Sequence, residues 1–295
     1  MMDQAEQLRR RVRQQAQHSG STRVIAVTSG KGGVGKTSLS VNLAIQLSKR
    51  GKRVVIIDAD FGLANVEIML GIRPQYTMSD LIYNDMNIDD IITRGPLDIG
   101  FISGGSGVQD MVNLDREQVR MLISKLVRLD TLADVIIIDT GAGISDSVLQ
   151  FVLSSPEVLI VATPEPTSIT DAYSLLKAVN RNKDFSAKDK KIEIVANRVG
   201  NQEEGKEIYN KLNIVSTKFL NIPLDYLGAI LQDGNASRSI IEQKPISLAF
   251  PNSPATKCYQ DICNRLFAFQ EQEDEPKEGI ASFFLNFIKQ KHRKQ

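Results

Sequence analysis

The stretch from Gly30 to Thr37 reads GKGGVGKT and constrains the fold more than any other part of the chain. It follows the apolar run Val24 to Val27 and opens a helical pattern from Lys36 to Arg50. A loop of the form G-x-x-x-x-G-K-[ST] that follows a strand and precedes a helix is a phosphate-binding loop. Glycines let backbone N–H groups turn inward around phosphates, and the helix N-terminus adds partial positive charge. We therefore predict an α/β fold that binds a nucleotide.

Side chains and backbone of this loop have different predicted tasks. Lys36 would place a point charge at the β- and γ-phosphates, and the Thr37 hydroxyl would ligate Mg²⁺. The other predicted nucleotide contacts are Gly30, Lys31, Gly32, Gly33, Val34, Gly35 and Ser38. The predicted cofactors are ATP or ADP and Mg²⁺.

Length and net charge limit the number of domains and the classes of partner that we expect. The chain has 295 residues, which suits one α/β domain of about 250 residues with short extensions. Its formal net charge of +1 gives no overall basic field, so nucleic acid is not an expected partner without a local patch.

Cys258 and Cys263 lie five positions apart, which predicts buried, reduced thiols and no iron–sulfur ligand set. No apolar run reaches membrane-spanning length and Asp3 to Gln17 is polar, so we expect a cytoplasmic protein.

Two further strands are followed by aspartates. Val54 to Ile57 precedes Asp58 and Asp60, and Val135 to Ile138 precedes Asp139. Carboxyl ends of parallel strands face the ligand crevice of an open α/β sheet. Four apolar residues and an aspartate have the Walker B form, in which Asp139 holds Mg²⁺ through water. Alternatively, Asp58 and Asp60 cap a helix that begins near Asn65.

The remaining pattern predicts alternating strands and helices. The predicted strands are Leu97–Ile102, Val158–Thr163, Ile192–Ala196 and Lys218–Ile222. The predicted helices are Ser79–Tyr83, Asp115–Leu129, Ser168–Asn180, Glu203–Leu212 and Thr256–Phe269.

With Lys31 at its second position, the loop KGG-x-GK[ST] resembles the deviant Walker A loop of the MinD/ParA ATPases, part of the SIMIBI class. The resemblance covers residues 23 to about 268 and implies a three-layer P-loop NTPase with a mostly parallel central sheet flanked by helices. It also implies an ATP-dependent homodimer, in which Lys31 reaches the partner's ATP. The catalytic set is then Lys31, Lys36 and Asp60, with Asp60 accepting a proton from the attacking water and Asp58 near the Mg²⁺ shell. The alternative for Lys31 is an exposed lysine without a partner.

The same resemblance assigns the adenine contacts to two loops. Asn197 and Arg198 follow one predicted strand, and Pro223, Leu224 and Asp225 follow the next. In the family, these positions read the edge of the base and cover its face. Asn197 as a plain strand cap is the alternative.

The first 22 residues precede the predicted domain of residues 23–270. DQAEQLR, from Asp3 to Arg9, resembles the activator motif DQAxxLR of the FlhG (YlxH) family, MinD-like ATPases of flagellar assembly. The resemblance implies that the segment binds the GTPase FlhF and that Gln4 enters its active site. The predicted contacts are Asp3, Gln4, Ala5, Leu8 and Arg9. A solvated tail is the alternative.

An acidic linker, residues 271–278, leads into a terminal amphipathic segment, residues 279–295. One helical face would carry Ile280, Phe283, Phe284, Phe287 and Ile288, with basic residues following. This pattern predicts an interfacial helix that binds a membrane surface when two ATP-bound copies add their affinities. The alternative is a helix packed on its own domain.

These features predict a Mg²⁺-dependent, dimerising ATPase that controls flagellar placement and number and stimulates FlhF. It would associate peripherally with the membrane in its ATP state. Flagellar switch (C-ring) proteins are further partners that the resemblance leaves open. The alternatives are a division-site regulator of the MinD kind and a DNA-segregation ATPase of the ParA kind.

Overall fold

The fold is that of a computed structural model, which describes residues 22–60, 65–105, 116–183, 185–268, 279–280, 282–284 and 286–287. The predicted FlhF contacts, from Asp3 to Arg9, and Ile288 lie outside these residues. No helix of the described chain is long and apolar enough to cross a bilayer.

A sheet of eight strands, in the order β3-β4-β2-β5-β1-β6-β7-β8, forms the centre of the described chain. Neighbouring strands are parallel except β3, which pairs antiparallel with β4. The strands are β1 (Arg23–Ser29), β2 (Val54–Ala59), β3 (Thr93–Arg94), β4 (Gly100–Ser103), β5 (Val135–Ala142), β6 (Glu157–Ala162), β7 (Lys191–Val199) and β8 (Asp225–Leu231).

Helices cover both faces of the sheet. They are α1 (Lys36–Ser48), α2 (Asn65–Leu70), α3 (Met78–Tyr83), α4 (Ile88–Ile91), α5 (Arg116–Leu126), α6 (Leu129–Leu132), α7 (Asp146–Ser154), α8 (Pro166–Asn180), α9 (Gln202–Leu220), α10 (Gly234–Ile241), α11 (Ile246–Ala249) and α12 (Pro254–Ala268). Alternate residues of the inner strands enter different cores: Ile56 and Ile137 face α1 and α12, whereas Ile57 and Ile138 face α5. This burial on both sides explains the continuous apolar runs of β2 and β5. The predicted three-layer α/β fold is confirmed.

Several predicted boundaries are wrong. Pro96–Asp98 forms a 3₁₀ turn, so the strand predicted from Leu97 begins only at Gly100. The predicted helix Asp115–Leu129 divides into α5 and α6, and β5 continues beyond Asp139 to Ala142. Residues 140–142 therefore end a strand.

The largest error concerns residues 218–222. Helix α9 continues to Leu220 and Asn221 caps it with φ of 56°, so no strand forms there. The next strand, β8, begins at Asp225. Pro223, Leu224 and Asp225 therefore precede a strand, although the prediction had them follow one.

The described residues of the terminal segment 279–295 pack on the domain, as in the alternative interpretation. Ile280, Phe283, Phe284 and Phe287 are each at most 2 % exposed. They share an apolar cluster with Leu122, Ile123, Leu126, Leu129 and Phe151. The ring centroids of Phe287 and Phe151 are 4.8 Å apart. We call this α5–α6–α7 surface the docking groove.

Candidate nucleotide site

The phosphate loop joins β1 to α1 as predicted. Gly35 has φ of 100°, and a Cβ there would lie 2.2 Å from Asn197 Nδ2. At Gly30 a Cβ would lie 2.1 Å from the backbone of Asp171 in α8. Both positions therefore need glycine, one for its conformation and both for close approach.

Lys36, the first residue of α1, is 7 % exposed. Burial lowers the pKa of its amine, while the negative charges of Asp139 and Asp60 act in the opposite direction. A cation held at a helix N-terminus beside glycine N–H groups attracts phosphate oxygens. The loop therefore has the charge and geometry of a triphosphate site.

Asp139 is fully buried within β5 and bonds to two hydroxyl groups of α1. Thr37 Oγ1 donates to its Oδ2 at 2.6 Å, and Ser40 Oγ donates to its Oδ1 at 2.9 Å. Burial raises the pKa of Asp139 to about 6, although both hydroxyl donors and Lys36 lower it. The predicted partners Thr37 and Asp139 therefore meet, and Ser40 adds a contact that the sequence pattern did not identify.

Asp58 and Asp60 lie at the end of β2, as predicted. Asp58 accepts hydrogen bonds from the backbone N–H groups of Asp60 at 3.1 Å and Val66 at 3.4 Å. Burial, and next the charge of Asp139, raise the pKa of Asp58 to about 8. Asn65 Nδ2 donates to Asp60 Oδ2 at 3.2 Å. Both predictions for this pair therefore find support in geometry. Asp58 binds the start of α2, and it also pairs across the sheet with Asp139, which binds Thr37 of the phosphate loop.

Lys31 has partners within its own chain. Its Nζ lies 2.5 Å from Glu165 Oε2 and 2.8 Å from Thr167 Oγ1, both at the N-terminal end of α8. The lysine lowers the pKa of the Glu165 carboxyl. The alternative of a lysine without a partner is therefore wrong. No motif in the sequence points to Glu165, which lies 134 positions from Lys31 along the chain.

Asn197 lies in β7 and contacts the phosphate loop directly. Its Nδ2 donates to the Val34 carbonyl oxygen at 2.7 Å, and its Oδ1 accepts from Arg198 N at 2.9 Å. Arg198 has φ of 58°, and the register between β7 and β8 shifts at this residue. Asn197 is therefore more than a strand cap, and adenine contacts at Asn197 and Arg198 stay a prediction.

Pro223, Leu224 and Asp225 lie elsewhere. Asp225 pairs with Glu193 at the amino edge of the sheet, whereas the phosphate loop follows the carboxyl ends of the strands. The reason for assigning these three residues to adenine therefore does not hold. The loop that follows β8, residues 232–233, occupies the carboxyl edge beside Asn197.

The donor set fits Mg²⁺. Thr37, Asp58 and Asp139 offer hard oxygen atoms. Burial raises the pKa of both carboxyls, and neighbouring carboxylates add to the shift, so a bound cation would stabilise their charged forms. Within the described residues no three His, Cys, Asp or Glu side chains form a metal cluster. A site completed by nucleotide phosphates and water suits this sparse set, because Mg²⁺ usually binds in that way.

Comparisons with known proteins agree with this geometry. The profile of the ParA family, described as NUBPL iron-transfer P-loop NTPase, matches residues 20–267. Antiactivator FleN of Pseudomonas aeruginosa is 40% identical over 243 residues, which are 82% of this chain and 85% of FleN. Flagellum site-determining protein YlxH of Helicobacter pylori is 33% identical over 276 residues, 92% of each chain.

A solved structure shows the same architecture. The cell division ATPase MinD of Pyrococcus furiosus superposes with a TM-score of 0.65 at 25% identity, covering 84% of this chain and 99% of that one. The profile spans the whole described P-loop domain, and FleN and YlxH extend over most of the chain. The chain therefore belongs to the MinD/ParA family of P-loop ATPases and is a homologue of FleN and YlxH.

Proposed function

We propose that this ATPase dimerises on Mg²⁺-ATP and controls the number and placement of flagella. The observation that carries the flagellar part is the 40% identity to FleN over 82% of the chain, together with 33% identity to a flagellum site-determining protein. The site geometry supports the ATPase part independently.

The chain's own groups act by positioning and electrostatics. Backbone N–H groups of the loop and the Lys36 amine bind the phosphates, and Asn197 supports the loop from β7. Thr37 and Asp139 would hold Mg²⁺, with Asp58 close by; the ion neutralises phosphate charge when bound. Asp60 orients water and accepts its proton on a carboxylate oxygen, and Asn65 holds that carboxylate.

Lys31 makes the one proposed phosphate contact that depends on the dimer. In the monomer its amine binds Glu165 and Thr167. In the proposed dimer it exchanges these partners for the phosphates of the other protomer's ATP. A partly exposed ion pair is a weak interaction because water screens it, so a triphosphate can displace it.

The terminal segment 279–295 connects this cycle to the membrane. Four fully buried apolar side chains contribute on the order of 6–12 kcal/mol gross, but ordering costs about 1–2 kcal/mol per residue. Docking is therefore close to balanced, and a change in the dimer state can release the segment. The released face, with its basic tail, then binds lipid, and two copies per dimer add their affinities.

The N-terminal segment would act on FlhF. Its composition suits a segment that folds on binding, and Gln4 is the residue assigned to the GTPase site. The test is GTP hydrolysis by FlhF with the full chain and with its Gln4→Ala variant, alongside flagellar counts in cells that carry each. We expect the variant to lose most of the stimulation while it retains ATPase activity. Equal stimulation by both chains would remove FlhF from the proposal.

A division-site role of the MinD kind is the second candidate, because the fold superposes on a cell division ATPase. Cell length and septum position in the deletion strain distinguish the two roles. Minicells with normal flagellar number would favour division, and altered flagellar number with normal septa would favour the flagellar role.

A further inference from the structure

Asp130, in the short helix α6, contacts the start of the docked segment. Its Oδ1 accepts a hydrogen bond from Ile280 N at 2.9 Å. A Cβ at Gly279 would lie 2.7 Å from Oδ1 and 2.8 Å from Oδ2, so the carboxylate fits closely over a glycine. The helical bonds Ser282 N to Gly279 O and Phe283 N to Gly279 O begin at this point. Asp130 thus satisfies an N-terminal N–H group of the segment, as a capping residue does, from a distant part of the chain.

The turn formed by α6 and the residues after it, up to Asp134, also binds Thr22 and Arg23, where the chain enters the domain. Thr22 is fully buried, and its Oγ1 lies 2.8 Å from the Ala133 carbonyl oxygen and 3.2 Å from that of Asp130. Arg23 N then bonds to Asp134 O at 3.0 Å and begins β1. Thr22, the first described residue, is therefore bound directly to the α6 turn.

Asp130 consequently contacts both ends of the chain. Its side chain binds residue 280, and its carbonyl oxygen lies within reach of the Thr22 hydroxyl. A shift of the α6 backbone that breaks one contact also moves the other, because both belong to one residue. Such a link is reciprocal: whatever the N-terminal side does to docking, docking does in return.

We propose that the α6 turn is a latch that couples the two terminal segments, with Asp130 as its anchor and Thr22 as its N-terminal contact. Docking of residues 279–287 holds the turn, and the turn fixes the exit of the N-terminal segment. A change that breaks the Thr22 contact therefore weakens docking. This coupling needs neither ATP hydrolysis nor a membrane, so it can be tested apart from the proposed function.

The experiment is hydrogen–deuterium exchange of the nucleotide-free full chain, followed on peptides that cover residues 279–287. Asp130→Ala removes the anchor, and Thr22→Val removes the hydroxyl at nearly constant volume. Each should speed exchange in these peptides by about five-fold, the effect of one capping or hydrogen bond. Because both act through one turn, the double variant should exchange more slowly than the product of the two effects predicts.

Thr131→Val is the matched control, since Thr131 is exposed in the same turn and its hydroxyl bonds only locally to Arg128 O at 2.8 Å. Exchange in β6 reports whether the domain stays folded. If Asp130→Ala does not fold, Gly279→Ala strains the same contact from the other side. If exchange in the peptides of residues 279–287 were equally fast in the Thr22→Val and Thr131→Val variants, the coupling would be overturned. Unchanged exchange in the Asp130 or Gly279 variant would overturn the anchor.

Discussion

Lys31 and Glu165 form an ion pair, with 2.5 Å between Nζ and Oε2, that ties the phosphate loop to the first turn of α8. The amine assigned to a partner's ATP is thus bound within its own protomer. Because the Glu165 side chain is 58 % exposed, the pair is a weak restraint that a dimer can replace.

Glu165→Gln should favour the ATP-bound dimer. The substitution removes the carboxylate charge and keeps the side chain's size, so Lys31 is released more readily. We expect the dimer dissociation constant with Mg²⁺-ATP to fall by up to about five-fold, measured by analytical ultracentrifugation. Glu207→Gln, at an exposed position of α9, is the matched control. A weaker dimer in the Glu165 variant would mean that the carboxylate stabilises the dimer and does not compete with it for Lys31.

Asp60→Ala should separate nucleotide binding from hydrolysis. Asp60 lies beside Gly141, whose Cβ position is 3.2 Å from Oδ1, at the carboxyl edge where the γ-phosphate would lie. Loss of a general base costs about 10²–10⁴-fold in rate. We expect that loss in turnover, with ATP affinity changed only a few-fold and the ATP dimer persisting. Lys36→Gln, in contrast, should abolish binding. Near-normal turnover in Asp60→Ala would disprove the role of Asp60.

Asp58→Asn should stabilise the Mg²⁺-free and nucleotide-free protein at alkaline pH. The pKa of Asp58 rises from 3.8 to about 8, so between these values the folded state binds more protons than the unfolded state. The free energy of unfolding therefore falls as pH rises through this window. Asparagine cannot ionise and avoids that loss. We expect urea unfolding curves that nearly coincide at pH 4 and differ by about 1–3 kcal/mol at pH 8. A variant less stable than wild type at pH 8 would contradict the assignment.

The part of the site that is local in sequence could be predicted. The loop from Gly30 to Thr37 carries its conformation and its charge in adjacent residues, and the apolar run before Asp139 places that carboxylate at the same sheet edge. Glu165, Ser40 and Asn65 were missed, because their roles depend on distances in the folded chain and not on any motif.

The strand error at residues 218–222 has a physical cause. The run KFLNI has the composition of a strand, but Phe219 is 63 % exposed. The buried residues of α9 are Gly205, Ile208, Leu212 and Ser216. They keep helical spacing, yet glycine and serine make the apolar signal weak. The real strand β8 contains Asp225 and Gly228, residue types that strands disfavour, so the pattern pointed to the wrong segment.

Pro223→Ala and Asn197→Ala test this correction. Pro223 lies at the amino edge of the sheet, so its substitution should leave ATP affinity unchanged. Asn197 supports the phosphate loop through Val34 O, and leaving that buried carbonyl without its donor should weaken ATP binding by about ten-fold. Fluorescent-nucleotide titration measures both. Weaker binding in the Pro223 variant would return Pro223 to the nucleotide site, and normal binding in the Asn197 variant would remove the supporting role of Asn197.

Phe151→Leu and Phe287→Ala should change membrane binding in opposite directions. Both rings belong to the docked contact, but Phe151 is in the groove and Phe287 is in the segment that would reach the lipid. Trimming Phe151 weakens docking and leaves the lipid-binding face intact, so co-sedimentation with anionic vesicles should rise without ATP. Trimming Phe287 weakens both contacts, so binding should fall even with ATP.

Phe219→Leu, at an exposed site on α9, is the control for losing an aromatic ring, and it should bind vesicles as wild type does. Opposite changes in vesicle binding at Phe151 and Phe287 are expected only if the same face of the segment binds the docking groove in one state and the lipid in the other. If Phe151→Leu left ATP-independent binding unchanged while hydrogen exchange showed the segment undocked, a different surface would have to contact the membrane.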